Sequence, residues 1–128
     1  MRFQISLSPV FRPLFTLLGA PKGSCFADID LPAKTLRVKS GIWFDETFPL
    51  SEVLDVGPST WPWWGGLGVK LGPKDSVGVV YSGDGVVAVR FRRPQNMHVI
   101  IVATRPELRV SLEDPQGFMA ALSEALRD

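Results

Sequence analysis

Asp114-Pro115, followed by apolar residues at three- and four-residue spacing, marks the one clear helix in this chain, and it closes a sequence otherwise patterned for strands. Asp is a good acceptor for the orphan amides of a helix start, and Pro suits the first helical position, where its missing N–H costs nothing. Phe118, Met119, Leu122 and Leu126 share one face while Gln116, Ser123, Glu124 and Arg127 take the other, so one side of the helix packs. A terminal helix on a β-patterned body predicts a mainly β (α+β) fold. A β scaffold of residues 25–112 is flanked or plugged by a helix of residues 114–127.

The 128 residues predict a single domain, 1–128, able to bury about two thirds of its unfolded surface without a metal or disulfide staple. Residues 1–24 read as an N-terminal strand, with Phe3, Ile5 and Leu7 alternating against Arg2, Gln4 and Ser6, plus a short helical or irregular segment. That segment is too short in its apolar run, and too interrupted by Arg12 and Pro13, for an integral membrane span or a signal peptide. Fourteen basic against thirteen acidic residues leave no global field to attract nucleic acid. A lone Cys25 fits a reducing compartment, and a cytoplasmic location is the expectation.

Between residues 25 and 112, short runs of Val, Ile, Phe and Trp alternate with Gly, Pro, Asp and Ser clusters, the rhythm of a barrel or sandwich. Phe26, Ile29 and Leu31 lead through Pro32-Ala-Lys34 into Leu36 and Val38, a hairpin. Ile42, Phe44 and Phe48 continue toward Leu50, Leu54 and Val56, with Pro49 as a bend. Val77, Val79 and Tyr81 run into Ser82-Gly-Asp-Gly85, a turn that predicts a second hairpin with 86–92. Arg93-Pro-Gln-Asn96 reads as another turn, Met97–Ala103 as a central strand and Leu108–Leu112 as the last strand. The Gly/Pro-rich stretch from 57 to 76 suits no regular element throughout.

Leu7-Ser-Pro-Val-Phe-Arg-Pro-Leu-Phe15, Leu36-Arg-Val-Lys-Ser-Gly-Ile-Trp-Phe44, Trp61-Pro-Trp-Trp-Gly-Gly66 and Val110-Ser-Leu-Glu-Asp-Pro-Gln-Gly-Phe118 resemble segments of small uncharacterised bacterial proteins. The second half, strands followed by an Asp-Pro-initiated helix, is similar to bacterial pleckstrin-homology-like (PH-like) domains. That resemblance implies a strongly bent antiparallel barrel of about seven strands capped by the C-terminal helix. It supplies no catalytic residues.

Chemistry-bearing motifs are sparse. Cys25 and His98, each the sole residue of its type, are the only pair that could make a nucleophile dyad, but both fall in apolar strands. Zinc needs more His, Cys or carboxylate ligands than this pattern offers, and no phosphate loop or dinucleotide fingerprint occurs. No metal or cofactor is expected. Asp28 and Asp30 share a strand face, as an acid/base pair or as a solvated edge. Two constellations remain for binding. Arg90, Arg92 and Arg93, with Lys70, Lys74 or Arg105 as neighbours, form a local anion site or a charged edge that blocks aggregation. Trp61, Trp63 and Trp64 on a Gly/Pro-rich loop are interface anchors or a cover for an open barrel end. The expected function is a non-enzymatic binding or scaffolding module working through a protein partner or self-association. The alternative is a carrier or sensor of a small amphipathic or anionic ligand.

Overall fold

The computed structural model describes residues 1–6, 25–41, 44–61, 68–72, 76–82, 85–99 and 101–127. Strands β1 (Arg2–Gln4), β2 (Cys25–Asp30), β3 (Thr35–Ser40) and β4 (Phe44–Pro49) form an antiparallel sheet in chain order. Its inward parity carries Cys25, Ala27, Ile29, Leu36, Val38, Phe44 and Phe48, all buried. Charged residues occupy the other face. There Arg37 forks onto Asp45 on the neighbouring strand, Nε to Oδ1 at 2.9 Å and Nη2 to Oδ2 at 2.7 Å. That fork holds the Asp45 carboxyl below its ordinary value.

Pro49 ends β4, and a 3-10 turn over Leu50–Glu52 redirects the chain into β5 (Val53–Pro58). Strands β6 (Gly68–Gly72), β7 (Ser76–Val80), β8 (Val86–Val99) and β9 (Ile101–Ser111) complete a second sheet, ordered β5-β8-β9-β7-β6. Its inner face presents Val53, Val77, Val79, Val87, Val89, Phe91, Leu108 and Val110 to the first sheet, forming one apolar core. The Phe48 and Phe91 rings meet across it with centroids 4.8 Å apart. Buried hydroxyls of Ser40 and Tyr81 also join across the core, and burial raises the Tyr81 phenol above its ordinary value.

One corner ties the sheets through backbone. Ile5 bridges Leu112, the Ser6 amide donates to Ser111 O at 2.8 Å and the Glu113 amide donates to Gln4 O at 3.0 Å. The helix α1 (Pro115–Ala125) starts just beyond this junction, with the Asp114 carboxylate accepting from the Gly117 amide at 3.0 Å. Phe118 and Leu122 are fully buried, and α1 lies against β5 and β8. Phe118 also meets Phe3 of β1 edge-on at 5.4 Å. No helix among the described residues is long and apolar enough to cross a membrane.

A mainly β architecture with a C-terminal helix is therefore what forms. The seven-stranded barrel is not: nine strands are described, in two sheets that do not close into a barrel. Pro49, which lacks an amide, and the 3-10 turn after it interrupt the ladder between β4 and β5. The β2–β3 hairpin forms as predicted, but β7 and β8 do not pair. Strand β9 lies between them, antiparallel to β8 and parallel to β7. Residues 93–96 are no turn but part of β8, where five steps from Arg90 to Gln95 oppose two from Glu107 to Arg105 in a wide bulge. Residues 97–99 and 101–103 likewise do not form one central strand: they are the paired ends of β8 and β9, with Met97 and Ala103 buried and His98 and Val102 exposed. A strand, β6, occurs inside the glycine-rich stretch where no element was predicted. The segment 7–24 lies outside the described residues.

Two measurements check this account. Leu122→Ala should cost about 2–5 kcal/mol of unfolding free energy in urea melts, the range for deleting a buried leucine, whereas Ser123→Ala on the exposed face should stay within about 0.5 kcal/mol. Asp45→Asn should cost about 0.2–1 kcal/mol at neutral pH, because the fork is half exposed. The depressed Asp45 carboxyl stabilises the fold at pH values above the ordinary 3.8 and loses that contribution as pH falls through its lower folded value. The difference between the unmodified protein and Asp45→Asn should therefore vanish in acid melts.

Candidate functional site

The three arginines do not converge. Arg90 stands opposite Asp55 in the β5–β8 ladder and grips its carboxylate with Nε and Nη2, the first contact at 2.7 Å. Arg93 bonds Glu52, whose carboxyl is held below its ordinary value chiefly by that bond. Arg92, exposed between them in the bulge, has no ion pair among the described residues. Arg105 turns back onto the Thr104 carbonyl at 3.1 Å; Lys74 lies outside the described residues.

Trp61 is buried, not displayed. With Val80 and Val86 it forms a small second core on the outer face of the five-stranded sheet, and its ring lies directly on Gly78 of β7. The adjacent Thr60 is held down by buried Arg109, whose Nη1 donates to Thr60 O at 2.9 Å while its Nε donates to Glu107 at 2.8 Å. Trp63 and Trp64 fall outside the described residues.

Cys25 and His98 have separate surroundings. The Cys25 thiol is buried and points at Ser40 Oγ, 3.9 Å away. His98 is exposed on the β8–β9 hairpin, its Nδ1 2.6 Å from Glu46 Oε1, and its amide donates to the same oxygen at 3.0 Å. That double contact ties the hairpin end to β4. Asp30 accepts from the Ala33 amide at 3.0 Å and so shapes the β2–β3 turn, while Asp28 lies 3.5 Å from the Met1 ammonium.

A cleft of about 430 Å³ opens where four element ends meet: the β2–β3 turn, the 3-10 turn with the start of β5, the β8 bulge and the last turn of α1. Leu31, Leu50, Leu54 and Leu126 give it apolar walls, and Lys34 and Arg92 bring positive charge. No acidic residue lines it among the described residues. Leu31 and Leu54 are respectively 49% and 46% exposed, far more than leucines packed in a core. Lys34 carries a left-handed backbone, φ 55°, which costs a side-chain-bearing residue about 1–2 kcal/mol where glycine would be relaxed. The Leu50 amide donates to Lys34 O at 2.9 Å and pins the 3-10 turn to this strained residue. A volume of this size lies within the range of small-ligand sites.

Of this cleft, sequence reasoning singled out only Arg92. Lys34 was readable as a hairpin residue, and Leu54 was placed by alternation on the packed side. A register shift between Val53 and Asp55 turns Leu54 outward instead. The available signals were two leucines beside turns and a lysine where a glycine suits a left-handed turn. Comparison with protein families, curated proteins and solved structures gives no match.

The Trp61 arrangement makes a paired prediction. A Cβ added at Gly78 would overlap the Trp61 ring, whereas one at Gly57 of β5 meets nothing within 4 Å. Gly78→Ala should cost about 1–3 kcal/mol in chemical melts and alter tryptophan fluorescence, and Gly57→Ala should be neutral or stabilising by up to about 1 kcal/mol.

Proposed function

We propose that this protein is a non-enzymatic binding module and that the cleft between the β2–β3 turn and the end of α1 is where it binds. The observation that carries this reading is the joint presence of about 430 Å³ of space, apolar walls and half-exposed leucines at one place. Apolar side chains left at water contact around a concavity gain by being covered, at roughly 25 cal/mol per Å² of apolar area removed from water. The concave shape favours a small molecule with an apolar portion over a flat protein partner or a second copy of the chain.

A neutral apolar dye such as N-phenyl-1-naphthylamine tests this directly. One equivalent should bind with a rise in dye fluorescence, and Leu54→Asp, a substitution at a half-exposed position, should weaken binding at least tenfold while melting normally. Dye binding unchanged by Leu54→Asp, or no binding by the unmodified protein, would overturn the proposal.

A further inference from the structure

We infer that the cleft selects a single-chain amphiphile with an anionic head, a carboxylate or phosphate monoester, its head held by Lys34 and Arg92 and its tail laid against Leu31, Leu50, Leu54 and Leu126. This rests on the binding reading above and adds the ligand class and its orientation. The charge pattern on β8 carries the first step. Asp55 and Glu52 take up Arg90 and Arg93, leaving Arg92, which borders the cleft, without an ion pair among the described residues, and Lys34 likewise. Glu52, the acid that feels the Arg92 charge, is already committed to Arg93. Two cations with no ion pair among the described residues, beside apolar walls, complement one negative head joined to one apolar tail.

The helix end fixes the orientation. Ala125 and Leu126 border the cleft at the C-terminal end of α1, where helix carbonyls carry partial negative charge. An anionic head is therefore repelled from that wall and drawn to Lys34 and Arg92, which places the tail under the helix end beside Leu126. Ser51 also borders the space, and a serine hydroxyl can donate to such a head. Lys34 stands at a left-handed position that glycine would relax, and backbone strain of this kind clusters at binding sites.

The same head chemistry occurs in free fatty acids or alkyl phosphates and in anionic membrane surfaces. A concave cleft of this volume takes one free chain, so the monomer is the proposed ligand. Titration calorimetry at low salt with decanoate and decyl phosphate, below their aggregation limits, should show one site. Decyltrimethylammonium should bind at least tenfold more weakly. Shortening decanoate to octanoate should weaken binding by up to about fourfold per methylene, the equivalent of about 0.8 kcal/mol per buried CH₂. Lys34→Gln and Arg92→Gln should each weaken decanoate by about three- to tenfold without changing affinity for the neutral dye. Lys34→Gly should show the same loss in a protein that is more stable to heat, which separates loss of the cation from loss of the fold.

Equal affinity for the ammonium amphiphile, or charge variants that bind decanoate unchanged, would overturn the anionic assignment while dye binding keeps the binding module standing. Failure of decanoate and dye together would remove both. Flotation with vesicles of anionic phospholipid, without any binding of monomeric decanoate or decyl phosphate, would overturn the single-chain proposal in favour of a membrane surface.

Discussion

The backbone junction between the end of β1 and the end of β9 is the contact on which the rest of the molecule depends. Two short sheets with apolar inner faces can pack in many relative positions. Here Ile5 opposite Leu112, with amides of Ser6 and Glu113 bonded across, sets one. The Ser111 hydroxyl reinforces the corner by donating to Ser6 O at 3.1 Å and accepting from the Tyr81 amide at 3.1 Å. Gly85, at φ 70°, lies so close to Leu112 O that a side chain could not be accommodated, which lets the start of β8 meet the same corner. The helix leaves directly from this junction, so its direction is inherited from it. Phe118 therefore lands on Phe3 and Leu122 enters the core.

The cleft is a consequence of that placement. Each of its walls is the end or the irregularity of an element: a hairpin turn, a 3-10 turn, a strand bulge and a helix terminus. Such positions are free of the register that packs strand interiors, and a rigid scaffold still holds them in place. The same irregularities leave charge available. Within β8, Arg90 lies directly opposite Asp55 of β5 and pairs with it, while the bulge lets Arg92 and Arg93 diverge. A cluster of three arginines thus becomes two ion pairs and one cation facing a leucine-lined space.

Local chemistry made the helix, its Asp114 cap, the β2–β3 hairpin and the packed parity of β3 and β4 legible in the amino-acid order, because each depends on residues a few positions apart. The same reasoning correctly put Phe118 and Leu122 on a buried face. It paired β7 with β8 through a plausible glycine turn, yet β9 took the place between them. Neighbouring strands in a sequence compete for partners with strands far along the chain, and alternation alone does not rank them. Leu54 shows the smaller version of the problem. A one-position register shift reverses which face a side chain occupies, and the shift is set by the partner strand.

What the sequence by itself determined, then, was a mainly β body with a packed terminal helix, and a short inventory of reactive side chains. Tertiary structure alone decided that the strands split into two sheets, that Trp61 closes over Gly78, that Arg90 and Arg93 are neutralised, and that Lys34 and Arg92 border one space. Lys34 and Arg92 are 58 positions apart in the chain. Their meeting follows from the β1–β9 corner and the core packing that hold the two sheets against each other, a long-range constraint that no local pattern of residues encodes.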